Sequence, residues 1–193
     1  MDKPHGRIAI FASGSGTNAE AIMHYFRNHH AIQVVVLMSN RADAYALERA
    51  RKNQIPTHVF NRKQLYQTGE VLNCLTEYRV THVVLAGFLW LIPESLIRTY
   101  PERIINIHPA LLPKYGGKGM YGMRVHEAVK AANEKETGIT IHLVNERYDE
   151  GKILLQARVD LTGNETPEEI AGKVHELEYR HYPAVIEKWV LYS

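Results

Sequence analysis

"RIAIFASGSGTN", Arg7 to Asn18, sets how the rest of the chain is read. An apolar run without polar alternation breaks into Ser-Gly-Ser-Gly, and a helical pattern starts at Thr17 and runs to about His29. Strand, glycine turn and helix in that order open a βαβ unit. Small residues at the turn let the backbone approach an anion, and the helix behind it offers free N–H groups and the positive end of its dipole. Thr17 and Asn18 add side-chain donors. Gly14, Gly16 and Ala19 also match the loose dinucleotide fingerprint, while the absence of a following Gly-Lys-Ser/Thr excludes a Walker A loop. A dinucleotide site wants an acidic residue at the end of the second strand. The chain has "SNRAD" there, with Asn40 and Arg41. An arginine suits a 2′-phosphate, so an NADP reading stays open at this point, as does a plain tight turn.

Outward from this unit the pattern repeats. Ile32–Ser39, Thr57–Phe60, His82–Ala86 and Ile104–His108 read as short strands, several apolar throughout, as strands covered on both faces are. Helical stretches near 44–53, 63–79 and 93–100 lie between them. The alternation predicts an α/β fold, a Rossmann-like, mostly parallel sheet flanked by helices. After His108 the pattern changes. A glycine-bearing loop reaches Gly122, a helix follows near 125–133, and Thr137–Val144 and Lys152–Val159 read as consecutive antiparallel strands. The last helix is announced by "TPEE": Thr166 as N-cap, Pro167 at the first position, Glu169 closing a capping box. Ile170, Val174 and Leu177 share one of its faces. One domain over residues 1–193 is expected, its first half nucleotide-binding-like and its second half mixed, in one sheet.

Bulk properties narrow the function. Of 193 residues 45% are hydrophobic and 23% charged, and the net charge is +2. No strong field calls for nucleic acid or a membrane surface, and the longest apolar run, Val83–Ile92, is half of what a span needs. No targeting segment is read at the start, "MDKPHGRIAIFASGSG". The single cysteine, Cys74, rules out an intrachain disulfide and sits among Val71, Leu72 and Leu75 as core filler. A cytoplasmic setting is expected. No close His or Cys spacing suggests a metal. "ERARK", Glu48–Lys52, reads as a solvated helix face.

Two further stretches can carry chemistry. In "NIHPALLPKYGG", Asn106 and His108 fall two apart at the carboxyl end of a strand, so both side chains reach one side of the sheet. In open parallel sheets ligands bind beyond that end. An amide donor and an imidazolium donor suit a developing oxyanion, and the same histidine can move a proton. Taken alone, such a histidine is more often structural. In "YDEGKILLQ", Asp149 two residues before Gly151 is ordinarily a turn former. If it faces His108, the carboxylate orients the imidazole and raises its pKa.

"SGSGTN", "LAGFLWLIP", "NIHPALLPKYGG" and "YDEG", in this order, resemble the folate-dependent formyltransferases, and the glycine loop points to their glycinamide ribonucleotide branch. The likeness runs from Arg7 to Val190. It implies formyl transfer from 10-formyltetrahydrofolate, as co-substrate, to the amine of glycinamide ribonucleotide in purine synthesis. No metal, nucleic acid or membrane is expected to take part, and the chain would act as a monomer or homodimer. Asn106, His108 and Asp149 match the family's catalytic trio. Gly16, Thr17 and Asn18 would hold the substrate phosphate, with Ala19 and Glu20 in the same segment and Glu178 on the ribose. Leu89, Trp90, Leu91 and Ile92 would meet the folate pterin largely through backbone groups, with Asn106 beside them and Lys63, or its neighbour Arg62, near the folate tail. A cis bond is implied at Leu112–Pro113. Three features depart from the family pattern: Trp90 where a basic residue is common, the "GGKGMYGMRVH" loop, and Lys152 after the Asp-x-Gly turn. Related formyl-handling enzymes with an RNA-binding or a regulatory domain fit this length less well.

Overall fold

The computed structural model describes residues 6–192; the first five residues, part of the stretch read as lacking a targeting segment, lie outside them. A seven-stranded sheet in the order β3-β2-β1-β4-β5-β6-β7 forms the centre. β1 (Gly6–Phe11), β2 (Ile32–Ser39), β3 (Thr57–Val59), β4 (His82–Leu85) and β5 (Ile104–His108) run parallel. β6 (Glu136–Leu143) and β7 (Ile153–Asp160) complete it antiparallel, as the sequence predicts.

β1 shows why the apolar runs lack alternation. Ile8 and Ile10 join one buried cluster and Ala9 and Phe11 the other, so the strand is covered on both sides. The first layer holds α1 (Thr17–Phe26), α2 (Tyr45–Lys52), α6 (Met123–Ala131) and α7 (Pro167–Tyr192). α3 (Arg62–Tyr66), α4 (Glu70–Glu77) and α5 (Glu94–Thr99) cover the other face, with Cys74 buried among Val71 and Leu75. The helix expected over 63–79 is two helices. Gly69 takes the left-handed conformation, φ 72°, and starts α4 afresh, while Asn61 and Gln64 close a capping box on α3.

At α7 the expected capping box is present: the Thr166 N–H donates to Glu169 Oε2 at 2.8 Å and the Glu169 N–H to Thr166 Oγ1 at 3.2 Å. Ile170 and Val174 are buried and Leu177 packs beside them. Tyr182, fully buried, donates to the Leu85 carbonyl at 2.8 Å and fixes this long helix against the carboxyl end of β4. Around the strand ends, at the point where β1 gives way to β4 in the order, a cleft of about 630 Å³ opens. Among the described residues no helix is long and apolar enough to cross a membrane.

Candidate active site

The cleft has two ends. At one, the loop Gly14–Asn18 turns its backbone carbonyls away from the cavity. The Gly14 carbonyl accepts from the Ala46 N–H at 3.1 Å, and the Ser15 carbonyl from Arg49 Nε at 2.9 Å. Both partners belong to α2, so α2 holds the loop with its acceptors occupied, which suits an anion on the other side. Gly16 is required here: its φ is +74°, and a Cβ would lie 2.5 Å from the Ala46 Cβ. Arg49 also pairs with Glu20. The "ERARK" face is therefore only partly a solvated one: Glu48, Arg51 and Lys52 are exposed, and Arg49 braces the loop. Asn18 Nδ2 donates to Glu178 Oε2 at 2.7 Å. Glu178 is 5% exposed, and burial raises its pKa to about 7 against the opposing bond from Asn18.

At the other end β5 pairs with β6, which sets Asn106 opposite His142. His142 Nδ1 lies 2.8 Å from the Leu143 carbonyl. A carbonyl only accepts, so Nδ1 carries the hydrogen and, in the neutral ring, Nε2 is an acceptor. Asn106 Nδ2 donates to it at 3.2 Å, which fixes which way the amide faces. His108, 4% exposed, is locked by the same logic: Nε2 donates to the Tyr115 carbonyl at 2.7 Å, leaving Nδ1 on the side of Asp149, 3.5 Å from Oδ2.

Asp149 reaches this place from the loop before β7. Its φ is +57°, a left-handed conformation that aspartate tolerates better than most residues. The Gly117 N–H donates to its Oδ2 at 2.9 Å, and its Oδ1 lies 3.5 Å from both Asn106 Nδ2 and His142 Nε2. At Gly151 any Cβ would collide with the Leu143 carbonyl, so the Asp-x-Gly turn admits no larger residue. Burial would raise the Asp149 pKa, but a proton on the neighbouring His142 or His108 would favour the carboxylate, and with the Gly117 N–H bond this holds it below the usual carboxylate value. His108 departs from expectation. Asp149 and the Tyr115 carbonyl do favour its charged form, but burial outweighs them and the His108 pKa is lowered. The resting imidazole is a neutral base, not a standing imidazolium donor.

The same cleft has an apolar wall. Leu89 to Ile92 line it, held by the Leu89 N–H bond to Ser13 Oγ at 3.1 Å and by Tyr66 Oη donating to the Leu91 carbonyl at 2.8 Å. Trp90 packs against Phe60, Phe88 and Tyr66, with the Arg62 guanidinium 4.8 Å from its ring centre.

The sequence model of the family described as formyl transferase matches residues 6–186. The chain belongs to the formyl transferase family. It is 42% identical to a chloroplastic phosphoribosylglycinamide formyltransferase of Arabidopsis thaliana, over 93% of this chain and 64% of that one. With the like-named protein of Haemophilus influenzae the identity is 37%, over 95% and 86%. The chain thus spans a little under two thirds of the plant relative's length. The fold superposes on glycinamide ribonucleotide transformylase 1 of Symbiobacterium toebii with a TM-score of 0.88 at 33% identity, covering 97% of this chain and 89% of that one. The phosphoribosylglycinamide formyltransferase of Anaplasma phagocytophilum gives 0.89 at 32%, over 97% and 88%.

In this member of the family, most residues singled out in the sequence meet at the cleft: Gly16, Thr17, Asn18, Leu89, Trp90, Leu91, Ile92, Asn106, His108, Asp149 and Glu178 all line it. Ala19 and Glu20 do not; Ala19 is packed in the core and Glu20 faces Arg49. Lys63 is exposed and outside the cleft, whereas its neighbour Arg62 reaches the Trp90 face. The implied cis Leu112–Pro113 bond is present. The dinucleotide reading keeps only Arg41, which lines the cleft but is paired with Asp43 at 2.7 Å, while Asn40 accepts from Ser13 Oγ at 2.7 Å. Sequence reasoning missed His142, whose only signal is its place two residues after Thr140 in a strand whose register was unknown. It also missed the Tyr115 carbonyl, Gly117 and Arg49.

Proposed function

We propose that this chain transfers a formyl group from 10-formyltetrahydrofolate to the amine of glycinamide ribonucleotide, the step of purine synthesis after which its relatives are named. One observation carries this reading: an anion loop, the Asn106–His108–Asp149 group and the apolar Leu89–Ile92 stretch line one cleft. The loop Gly14–Asn18 suits the phosphate and Glu178 the ribose hydroxyls. The apolar Leu89–Ile92 stretch fits the pterin, and Arg62, stacked on Trp90, suits an anionic tail better than exposed Lys63. A cytoplasmic monomer or homodimer acting on these two small molecules fits the modest net charge.

The chemistry follows from the resting geometry. The substrate amine attacks the formyl carbon, and a new C–N bond forms as the carbonyl electron pair moves onto oxygen. Asn106, its amide nitrogen held forward by His142, donates to that oxyanion. The excess proton on the attacking nitrogen passes to His108 Nδ1, the free acceptor. Asp149, at 3.5 Å, supports the imidazolium so formed. The bond from carbon to the folate nitrogen then breaks, and the His108 proton goes to that leaving nitrogen.

Mixing the protein with glycinamide ribonucleotide and a 10-formyl folate, and following the folate absorbance, tests this. Transfer that depends on the amine is expected, and Asn106→Ala lowers turnover by about 10²–10³ as one lost oxyanion donor does. Formyl loss at the same rate without the amine would instead mean hydrolysis.

A further inference from the structure

The chemistry above leaves one buried nitrogen on the cleft wall unused. His126, on α6, is 2% exposed and lines the cleft, yet its Nδ1 has no hydrogen-bond partner among the described residues. Buried polar atoms in native proteins are ordinarily paired, so this one calls for a partner from outside. Asn18 Oδ1, on the same cleft, is likewise buried and unpartnered. The two positions are joined through α7. Asn18 bonds Glu178, and His175 stands three residues earlier on that helix, hence on the same side one turn away. His175 in turn is close enough to His126 for their charges to interact. The anion loop, α7 and α6 therefore form one continuous wall, and α6 begins on it, with Gly122 and Arg124 facing the cavity.

Burial, with His175 from α7 and His108 from β5 opposing its protonation, lowers the His126 pKa to about 4. The Gly14–Asn18 loop at the start of α1 and the Arg124 side chain line the same cavity, so a complementary ligand on this wall is an anion. An anion with hydroxyls nearby also gives Asn18 Oδ1 a donor.

We propose that His126 is a specificity-determining residue, hydrogen-bonding the phosphoryl oxygens of a sugar phosphate seated between the Gly14–Asn18 loop and α6. This rests on the reading of the cleft as a glycinamide ribonucleotide site. The test compares kcat/KM for glycinamide ribonucleotide and for its dephosphorylated riboside in wild type, His126→Leu and His126→Asn. The preference for the phosphorylated substrate should fall about 10–100-fold in His126→Leu, as for a lost bond to a charged group. His126→Asn, whose amide can occupy the Nδ1 position, should recover part of it. A preference equal to wild type in both variants, with both substrates slowed alike, would mean packing only and overturn the proposal. Should His126→Leu fail to fold, the imidazole ¹⁵N resonances of His126 in wild type decide. They shift with ribose 5-phosphate if the proposal holds and stay put if it is wrong. Wild type that fails to formylate glycinamide ribonucleotide would sink the substrate reading, while the ribose 5-phosphate shift would still report on His126.

Discussion

The two ends of the cleft are built in different ways. The anion end is mostly local: Ser13 to Asn18 run from the turn after β1 into the first residues of α1, joined by Glu178 of α7. The catalytic end is assembled from afar. Asn106 and His108 come from β5, His142 from β6, Asp149 from the loop before β7, and Tyr115 and Gly117 from the loop after β5. A mostly local site needs its strand–turn–helix and the α2 brace behind it. An assembled one exists only while the β5–β6 register and two loops hold.

Substitutions can break or sharpen this contrast. The largest effect is expected at the assembled end, where His108→Ala should lower turnover by about 10²–10⁴, the usual worth of a positioned acid–base group. In single-turnover experiments the loss should sit in the chemical step, with substrate binding nearly intact.

Glu178→Gln should divide function from stability. Unfolded, this carboxyl ionises near 4.5; folded, near 7. Between those values the folded chain holds a proton that the unfolded chain has lost, so stability falls as pH rises, and above about 7 the whole cost is present. Thermal unfolding should show the glutamine variant more stable than wild type by about 3 kcal/mol at pH 8 and the two alike near pH 4. Its KM for glycinamide ribonucleotide should rise. No gain at pH 8 would mean that Glu178 is better solvated than its burial indicates.

At the local end, Gly16→Ala sets a Cβ against Ala46 in a left-handed backbone. A loss of about 1–3 kcal/mol is expected in denaturant unfolding, with KM for the phosphorylated substrate rising more than kcat falls. The smallest effect is expected for His142→Phe, which removes the acceptor that orients Asn106 together with the ring nitrogen beside Asp149 Oδ1. Turnover should drop about 2–10-fold, the worth of one neutral hydrogen bond. In the Asn106→Ala background the same change should do almost nothing; a full additional loss there would separate His142 from Asn106.

Much of the fold is legible in the sequence because its signals are local. Ile8 to Phe11 read as a strand covered on both faces, and Thr166 with Glu169 marks the start of α7. The anion loop is legible for the same reason. What sequence could not supply is register and burial. That His142 stands opposite Asn106 depends on how β6 pairs with β5. That Arg62 and not Lys63 meets Trp90 depends on a rotation of one residue about α3. The charge state of His108 needed the balance between Asp149 and desolvation, and only the packed site shows that burial is the larger of the two.

A ¹⁵N NMR titration of the His108 imidazole, in wild type and in Asp149→Asn, tests the assembled end most directly. The result expected is a neutral ring at pH 7 with its hydrogen on Nε2, titrating below the ordinary histidine value of 6.5 and lower still without the Asp149 charge. A ring already charged at pH 7, or one whose titration rises in Asp149→Asn, would contradict His108 as the resting base.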